Sequence, residues 1–406
     1  MRLQKTLFIA ILSLFFSYTF AQNHKNGQYV VMLSMDAFRY DYPEIYKTTE
    51  LKKIAESGVR AKSFISSFPT VTFPNHYAMA TGLYPDHHGI VLNNFFAPEL
   101  GLNYKVGDRK SVENGEFYDG EPIWTTAQKQ GLITASYFWV GSETKIKGYQ
   151  PNYWKLYDHK FPFSQRIDTV IYWLSLPIEK RPRLITFYMP EPDEISHHYG
   201  PISKETGDMV HLLDSLAGVL VNRIKQLPIA DSVNIIFTSD HGMEDVSADR
   251  SVRVDDYIPK DWIISVNGSS PTIGLNIKKG YIDSALLKLS GVAHIKAWKR
   301  LDVPSRLHFG SNPRIGDIVV LADSAWNVGT KEDKFKYKGA HGFDNANLNM
   351  HGLFIATGPA FKQGYYGKSI QNVCLYPLIA KILGLTPMPV DGTIEEVEAF
   401  LKSSTK

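Results

Sequence analysis

Residues 29–35, Tyr-Val-Val-Met-Leu-Ser-Met, run without a charge into Asp36. So short an apolar run marks a strand covered on both faces, which leaves the acid where strand gives way to loop. The same punctuation recurs downstream. An apolar run near 183–189 precedes Asp193, and another near 233–238 precedes the pair Asp240-His241. Helical patterns lie between these runs, from about 43 to 57 with Gly58 as the stop, and near 121–131, 164–176 and 206–226, with a further strand near 133–139. Strands alternating with helices over short connections predict an α/β fold, a mostly parallel central sheet with helices on both faces. Ligands in such sheets gather at the carboxyl ends of the strands, so three acids far apart in sequence are expected along one edge.

From about 245 to 335 the pattern changes to short strands, 273–277 and 318–321, around one helix, 281–290. This reads as a small inserted α+β cap subdomain. The chain returns to the main domain at Gly339, and a strand at 352–356 and a helix at 375–383 close it. At the other end, basic Arg2 and Lys5, an apolar stretch from Leu7 to Phe20 and the small residue Ala21 read as an export signal over residues 1–21. A retained anchor is the alternative, but the stretch is shorter than the roughly 20 residues that span a bilayer. The expected mature protein is periplasmic or extracellular, one catalytic domain over 22–406 with the cap inserted. A net charge of +3 without a long basic block gives no reason to expect binding to nucleic-acid duplexes. Cys374 stands alone among apolar neighbours, which reads as a buried structural thiol.

The chemistry concentrates in a few segments. Thr72 lies in Thr70-Val71-Thr72-Phe73-Pro74-Asn75-His76, just before a helical stretch from Asn75 to Thr81 that ends at Gly82. Taken alone such a threonine is an N-cap, yet a helix N-terminus is also a ready anion site, where a hydroxyl could attack phosphorus. Asp193 and His197 are spaced to share one face of a helical turn. Asp240-His241 is followed by Gly242, which permits a turn, and His341 is flanked by Gly339 and Gly342. Three Asp and three His with one hydroxyl suit zinc better than the all-oxygen shells of calcium or magnesium, with manganese and iron left open. Six ligands exceed the needs of one tetrahedral ion; two ions with three ligands apiece would each keep a position open. His76, His87 and His88 have no acid partner that the sequence identifies.

Four motifs in order, Thr-Phe-Pro-Asn-His, Glu-Pro-Asp-x-x-x-His, Ser-Asp-His-Gly-Met and Gly-x-His-Gly-Phe-Asp-Asn, closely resemble the nucleotide pyrophosphatase/phosphodiesterase family of the alkaline phosphatase superfamily, in a bacterial-type single-domain form. The resemblance covers nearly the whole mature chain. It implies two Zn2+ per chain, with Asp193, His197 and His341 on one ion, and Asp36, Asp240 and His241 with the Thr72 oxygen on the other. It makes Thr72 the nucleophile, passing through a phosphothreonine. It implies that Asn93 joins the Phe73 N–H in holding a phosphate oxygen, and that Phe73 and Tyr188 sandwich a nucleobase. The expected substrate is a small phosphodiester, a nucleotide releasing its 5'-monophosphate. The competing readings are a lysophospholipid or glycerophosphocholine diesterase, a phosphomonoesterase or phosphonate hydrolase of the same superfamily, and a catalytically silent metal-binding module. His198 and His351 are the neighbours most easily confused with His197 and His341.

Overall fold

The structure is a computed structural model and describes residues 27–403. The expected export signal therefore lies outside the described residues; among those described, no helix is long and apolar enough to cross a membrane.

An eight-stranded sheet forms the centre. In chain order its strands are β1 (Tyr29–Met35), β2 (Val59–Ala61), β3 (Thr134–Tyr137), β4 (Tyr153–Lys155), β5 (Leu184–Met189), β6 (Val233–Thr238), β7 (Phe354–Thr357) and β8 (Tyr365–Gly367). They lie side by side as β8-β2-β7-β6-β1-β5-β3-β4. The strands β6, β1, β5, β3 and β4 are all mutually parallel, while β7 runs antiparallel to both of its neighbours. Strand β1 is buried throughout, as its uninterrupted apolar run requires.

Successive side chains of β1 serve two cores, because a strand directs them alternately to opposite faces. Val30 and Met32 pack with helices α2 (Thr72–Thr81), α3 (Ile123–Lys129) and α8 (Leu375–Leu383). Val31, Leu33 and Met35 pack with α1 (Glu50–Ser57), α4 (Phe163–Ser175) and α6 (Lys204–Lys225). Helix α5 (Asp193–Tyr199) leaves the end of β5, and α7 (Ile282–Leu289) packs against a separate antiparallel sheet. That sheet has the order Ile263–Ser269, Thr272–Ile277, Ile318–Ala322, Ile295–Lys299, and it encloses its own apolar cluster.

The helical pattern expected over 43–57 is broken in two, with α1 beginning only at Glu50. Lys47 has φ 54°, and Asp214 of α6 accepts the N–H groups of Thr49, Glu50 and Leu51 at 2.9, 3.1 and 2.7 Å. A carboxylate borrowed from another helix thus satisfies the free amides at the start of α1, something local periodicity does not register.

Helix α2 also begins earlier than expected, at Thr72. Val71 occupies the N-cap position, so Thr72 is not the cap and its hydroxyl is free for other partners. Asn75 fixes this start by donating to the carbonyls of Pro69 and Val71 at 3.0 and 2.8 Å. His88 braces the first turn: its Nε2–H donates to Pro74 O at 3.0 Å while its Nδ1 accepts the Ile90 N–H at 3.2 Å. Both ring nitrogens are committed to the neutral form, and burial pushes the imidazole from 6.5 down to about 3. A depressed folded-state pKa gives stability that is complete above pH 6.5 and is lost as the pH falls toward 3, with a limiting slope of about 1.4 kcal/mol per pH unit. In urea unfolding, wild type should lose about 2 kcal/mol more than His88→Gln between pH 6.5 and 5. Identical pH slopes for the two proteins would contradict this.

Candidate metal centre and active site

The carboxyl edge of the sheet collects the acids. Asp36 follows β1 directly, Asp193 opens α5 just past β5, and Asp240 lies two residues beyond β6. Asp36, Asp240 and His241 form one fully buried group, and Asp193, His197 and His341 form a second, with ligand atoms in each group within 4.8 Å of one another. In the first, His241 Nε2 stands 3.0 Å from Asp240 Oδ2 and 3.5 Å from Asp36 Oδ1. In the second, Asp193 Oδ1 stands 3.4 Å from His197 Nε2 and 3.6 Å from His341 Nε2. The two groups touch, since the His241 and His341 rings stack at 3.7 Å.

Backbone carbonyls aim all three imidazoles. Nδ1 of His197 donates to Gly339 O at 2.7 Å, that of His241 to Gly242 O at 2.9 Å, and that of His341 to Thr70 O at 3.0 Å. Each ring therefore turns its Nε2 toward the acids, the nitrogen that a metal ligand offers once it is unprotonated. The carboxylates complete the fit. Asp36 Oδ1, Asp193 Oδ1 and Asp240 Oδ2, the very oxygens facing these nitrogens, are buried without a hydrogen-bond partner. Three orphaned acceptors at one edge are costly unless a cation satisfies them, so this donor set fits two metal ions of the kind bound by mixed N and O ligands.

The electrostatics without a cation lead to the same place. Burial raises the Asp36 carboxyl well above the usual range, and the nearby Asp240 and Asp193 raise it further. Burial also opposes ionisation of Asp240, but His241 and His76 overcome it and hold that carboxyl well below the usual range. Burial and the adjacent His241 and His197 rings keep His341 neutral, well below the ordinary imidazole range. Asp36 and Asp240, pressed together in a buried site with Asp193 nearby, favour positive charge between them.

Thr72 Oγ1 lies 3.1 Å from His241 Nε2, which places the hydroxyl against the Asp36 group. Beneath it, the fully buried His76 bonds to Thr72 O and Ser34 Oγ and comes within 3.4 Å of Asp240 Oδ2. Thus His76 has an acid neighbour after all, and so does His87, which pairs with Asp391 at 2.8 Å. The Phe73 N–H and Asn93, expected as joint donors, are bonded to each other: the amide donates to Asn93 Oδ1 at 3.1 Å. This leaves the Asn93 Nδ2 group as the donor. His198 points outward beside Tyr337, and His351 is occupied by Ser63 and Asn345 O, so neither enters the metal groups.

Two cavities meet at Thr72. One of about 260 Å3 is walled by Phe73, Trp139, Tyr157 and Tyr188, with Arg109 and Glu143 among its lining residues. The other, about 360 Å3, holds Asp193, His197 and His341 together with Asn93, Lys334 and Lys336. Tyr157, Glu143 and Arg109 carry no signal in sequence, because loops and, for Arg109, a helix of only four residues deliver them. A larger open groove of about 840 Å3, near Lys52, Arg60 and Tyr366, contains none of these residues.

Comparison with known proteins follows the same outline. Residues 30–344 match the family model for type I phosphodiesterase / nucleotide pyrophosphatase. A venom phosphodiesterase of Crotalus durissus collilineatus is 36% identical over 386 residues, covering 92% of this chain and 46% of the relative. Human ectonucleotide pyrophosphatase/phosphodiesterase family member 1 is 34% identical over 389 residues, covering 92% of this chain and 42% of the relative. The chain thus spans about half the length of the curated relatives it matches. Among solved structures, murine ectonucleotide pyrophosphatase/phosphodiesterase 5, an inactive threonine-to-alanine variant in complex with AMP, superposes with a TM-score of 0.88 at 32% identity, covering 92% of this chain and 100% of that one.

Proposed function

The chain belongs to the type I phosphodiesterase / nucleotide pyrophosphatase family, and from that premise we propose that it hydrolyses phosphodiester or pyrophosphate bonds of nucleotides, with two zinc ions per chain and a phosphothreonine formed on Thr72. The observation that carries this reading is the placing of three partnerless carboxylate oxygens against three Nε2 atoms, with the Thr72 hydroxyl alongside. Asp36, Asp240 and His241 would hold one ion, together with Thr72, and Asp193, His197 and His341 the other. Bound there, the cations would polarise the phosphoryl group and neutralise charge on both the entering and the departing oxygen.

The chain's own residues set the geometry of the displacement. Thr72 Oγ1 gives up its proton to solvent and forms the new bond to phosphorus while the bond to the leaving oxygen breaks, its electron pair going to that oxygen. Asn93 Nδ2 would donate to a non-bridging oxygen, where charge gathers. Water then displaces Thr72 from the opposite face, so two in-line steps retain configuration overall. A base seats between aromatic walls that include Phe73 and Tyr188, which favours nucleotides; stacking of this kind tolerates any base. Aromatic walls would also suit choline, but Glu143 is already ion-paired with Arg109. The residues near 245–335 serve as a cap beside the site. Export from the cytoplasm accords with relatives named as venom and ectonucleotide enzymes.

A panel of p-nitrophenyl thymidine monophosphate, ATP, bis-p-nitrophenyl phosphate, p-nitrophenyl phosphate and p-nitrophenylphosphorylcholine tests the substrate class. The two nucleotides should give the highest kcat/KM; preference for the monoester or the choline ester would overturn the nucleotide reading. Lys334 and Lys336 line the cavity across Thr72 from the aromatic walls, where a departing pyrophosphate would lie. The double variant Lys334→Gln/Lys336→Gln should lower kcat/KM for ATP about tenfold and leave p-nitrophenyl thymidine monophosphate within about twofold, since only ATP's leaving group is a pyrophosphate that already carries negative charge in the bound substrate.

A further inference from the structure

Tyr188 stands at the boundary between the aromatic cavity and the metal groups. Its ring lines the cavity and meets His76 edge to face at 5.0 Å, while its hydroxyl donates to Asp36 Oδ2 at 2.6 Å. The other Asp36 oxygen, Oδ1, is the partnerless one facing His241 Nε2. A carboxylate free to rotate would exchange its two oxygens; the short bond from Tyr188 forbids it. Asp240 is held in the same manner, with Oδ1 accepting the Ala37 N–H at 3.2 Å while Oδ2 faces the histidines. In the second group no described side-chain hydroxyl or amide donates to Asp193, and no described hydrogen bond joins Asp193 to a residue of the aromatic cavity wall. Main-chain bonds also fix Tyr188 itself, whose carbonyl accepts from Arg166 Nη1 at 3.1 Å.

We propose that Tyr188 is a positioning residue for the metal bound by Asp36, Asp240 and His241, its hydroxyl presenting Asp36 Oδ1 as ligand while its ring forms part of the substrate wall. The inference rests on the two-metal reading above. Partners that orient a ligating side chain are commonly worth about 10–100-fold in metal affinity, and here the effect falls on one ion of the two.

The test uses metal-free full-length protein titrated with zinc against a chromophoric chelator. Wild type should take up two zinc ions. Tyr188→Phe keeps the ring and should bind one zinc as wild type does and the other about 10–100-fold more weakly. Tyr157→Phe, which loses only a bond to the exposed His159, should bind both normally. The unfolding midpoint of metal-free Tyr188→Phe should match wild type within a few degrees, separating lost positioning from a damaged fold. Equal weakening of both sites in Tyr188→Phe, or none at either, overturns the proposal. Wild type that takes up no zinc at all would instead overturn the two-metal reading, and this inference with it.

Discussion

Thr72→Ala should reduce kcat/KM on p-nitrophenyl thymidine monophosphate by about three orders of magnitude or more while retaining both zinc ions. The size of the loss follows from the position of the hydroxyl. Thr72 is the first residue of a ten-residue helix, its Oγ1 is 3.1 Å from a nitrogen of the buried metal group, and Val71 leaves it no capping duty. Removing the hydroxyl, with the neighbouring methyl, therefore deletes the group that forms the bond to phosphorus and little else. The six acids and imidazoles are untouched, which is why metal content should survive. Thr72→Ser restores an oxygen at the same carbon and should recover a measurable part of the activity, less the ordering that the β-methyl imposes on the rotamer. Assay by initial rates beside elemental analysis separates the two effects. An alanine variant with near-full activity would remove Thr72 as nucleophile.

Stripping the metal should be as damaging and should be reversible. Without cations, the Asp36 carboxyl is driven well above its usual range by burial and by Asp240 and Asp193, and three buried oxygens lack any partner. The metal-free site therefore loses the charge pattern that would receive a phosphate. Dialysis against chelator should lower turnover by at least about a thousandfold, and stoichiometric zinc should restore it. Excess magnesium, which prefers all-oxygen octahedral shells, should restore far less. Full activity in protein shown by elemental analysis to carry no metal would defeat the assignment.

Much of the frame could be read directly from the chain. Asp36, Asp193 and Asp240 each follow an apolar run, and the strand-end rule places them at one edge, where the structure has them. Helices with strong apolar periodicity were delimited to within a few residues, as with Leu375–Leu383. What local pattern could not disclose were features made by distant partners. The split of residues 43–57 depends on Asp214, more than 150 residues away. The short strands β2, β4 and β8 carry no periodicity of their own, because three residues are too few to show alternation. The bond between the Phe73 N–H and Asn93 requires the two segments to be docked before it can be seen. Tyr157 reaches the aromatic cavity from a loop, and the tie between Tyr188 and Asp36 joins two adjacent strands through their side chains.

The most direct measurement is anomalous diffraction at the zinc absorption edge from crystals of the zinc-loaded protein. Two peaks are expected, one among Asp36, Asp240 and His241 beside Thr72 Oγ1, the other among Asp193, His197 and His341. A single peak, or peaks away from these residues in crystals of fully active enzyme, would contradict the paired-ion centre on which the catalytic reading depends.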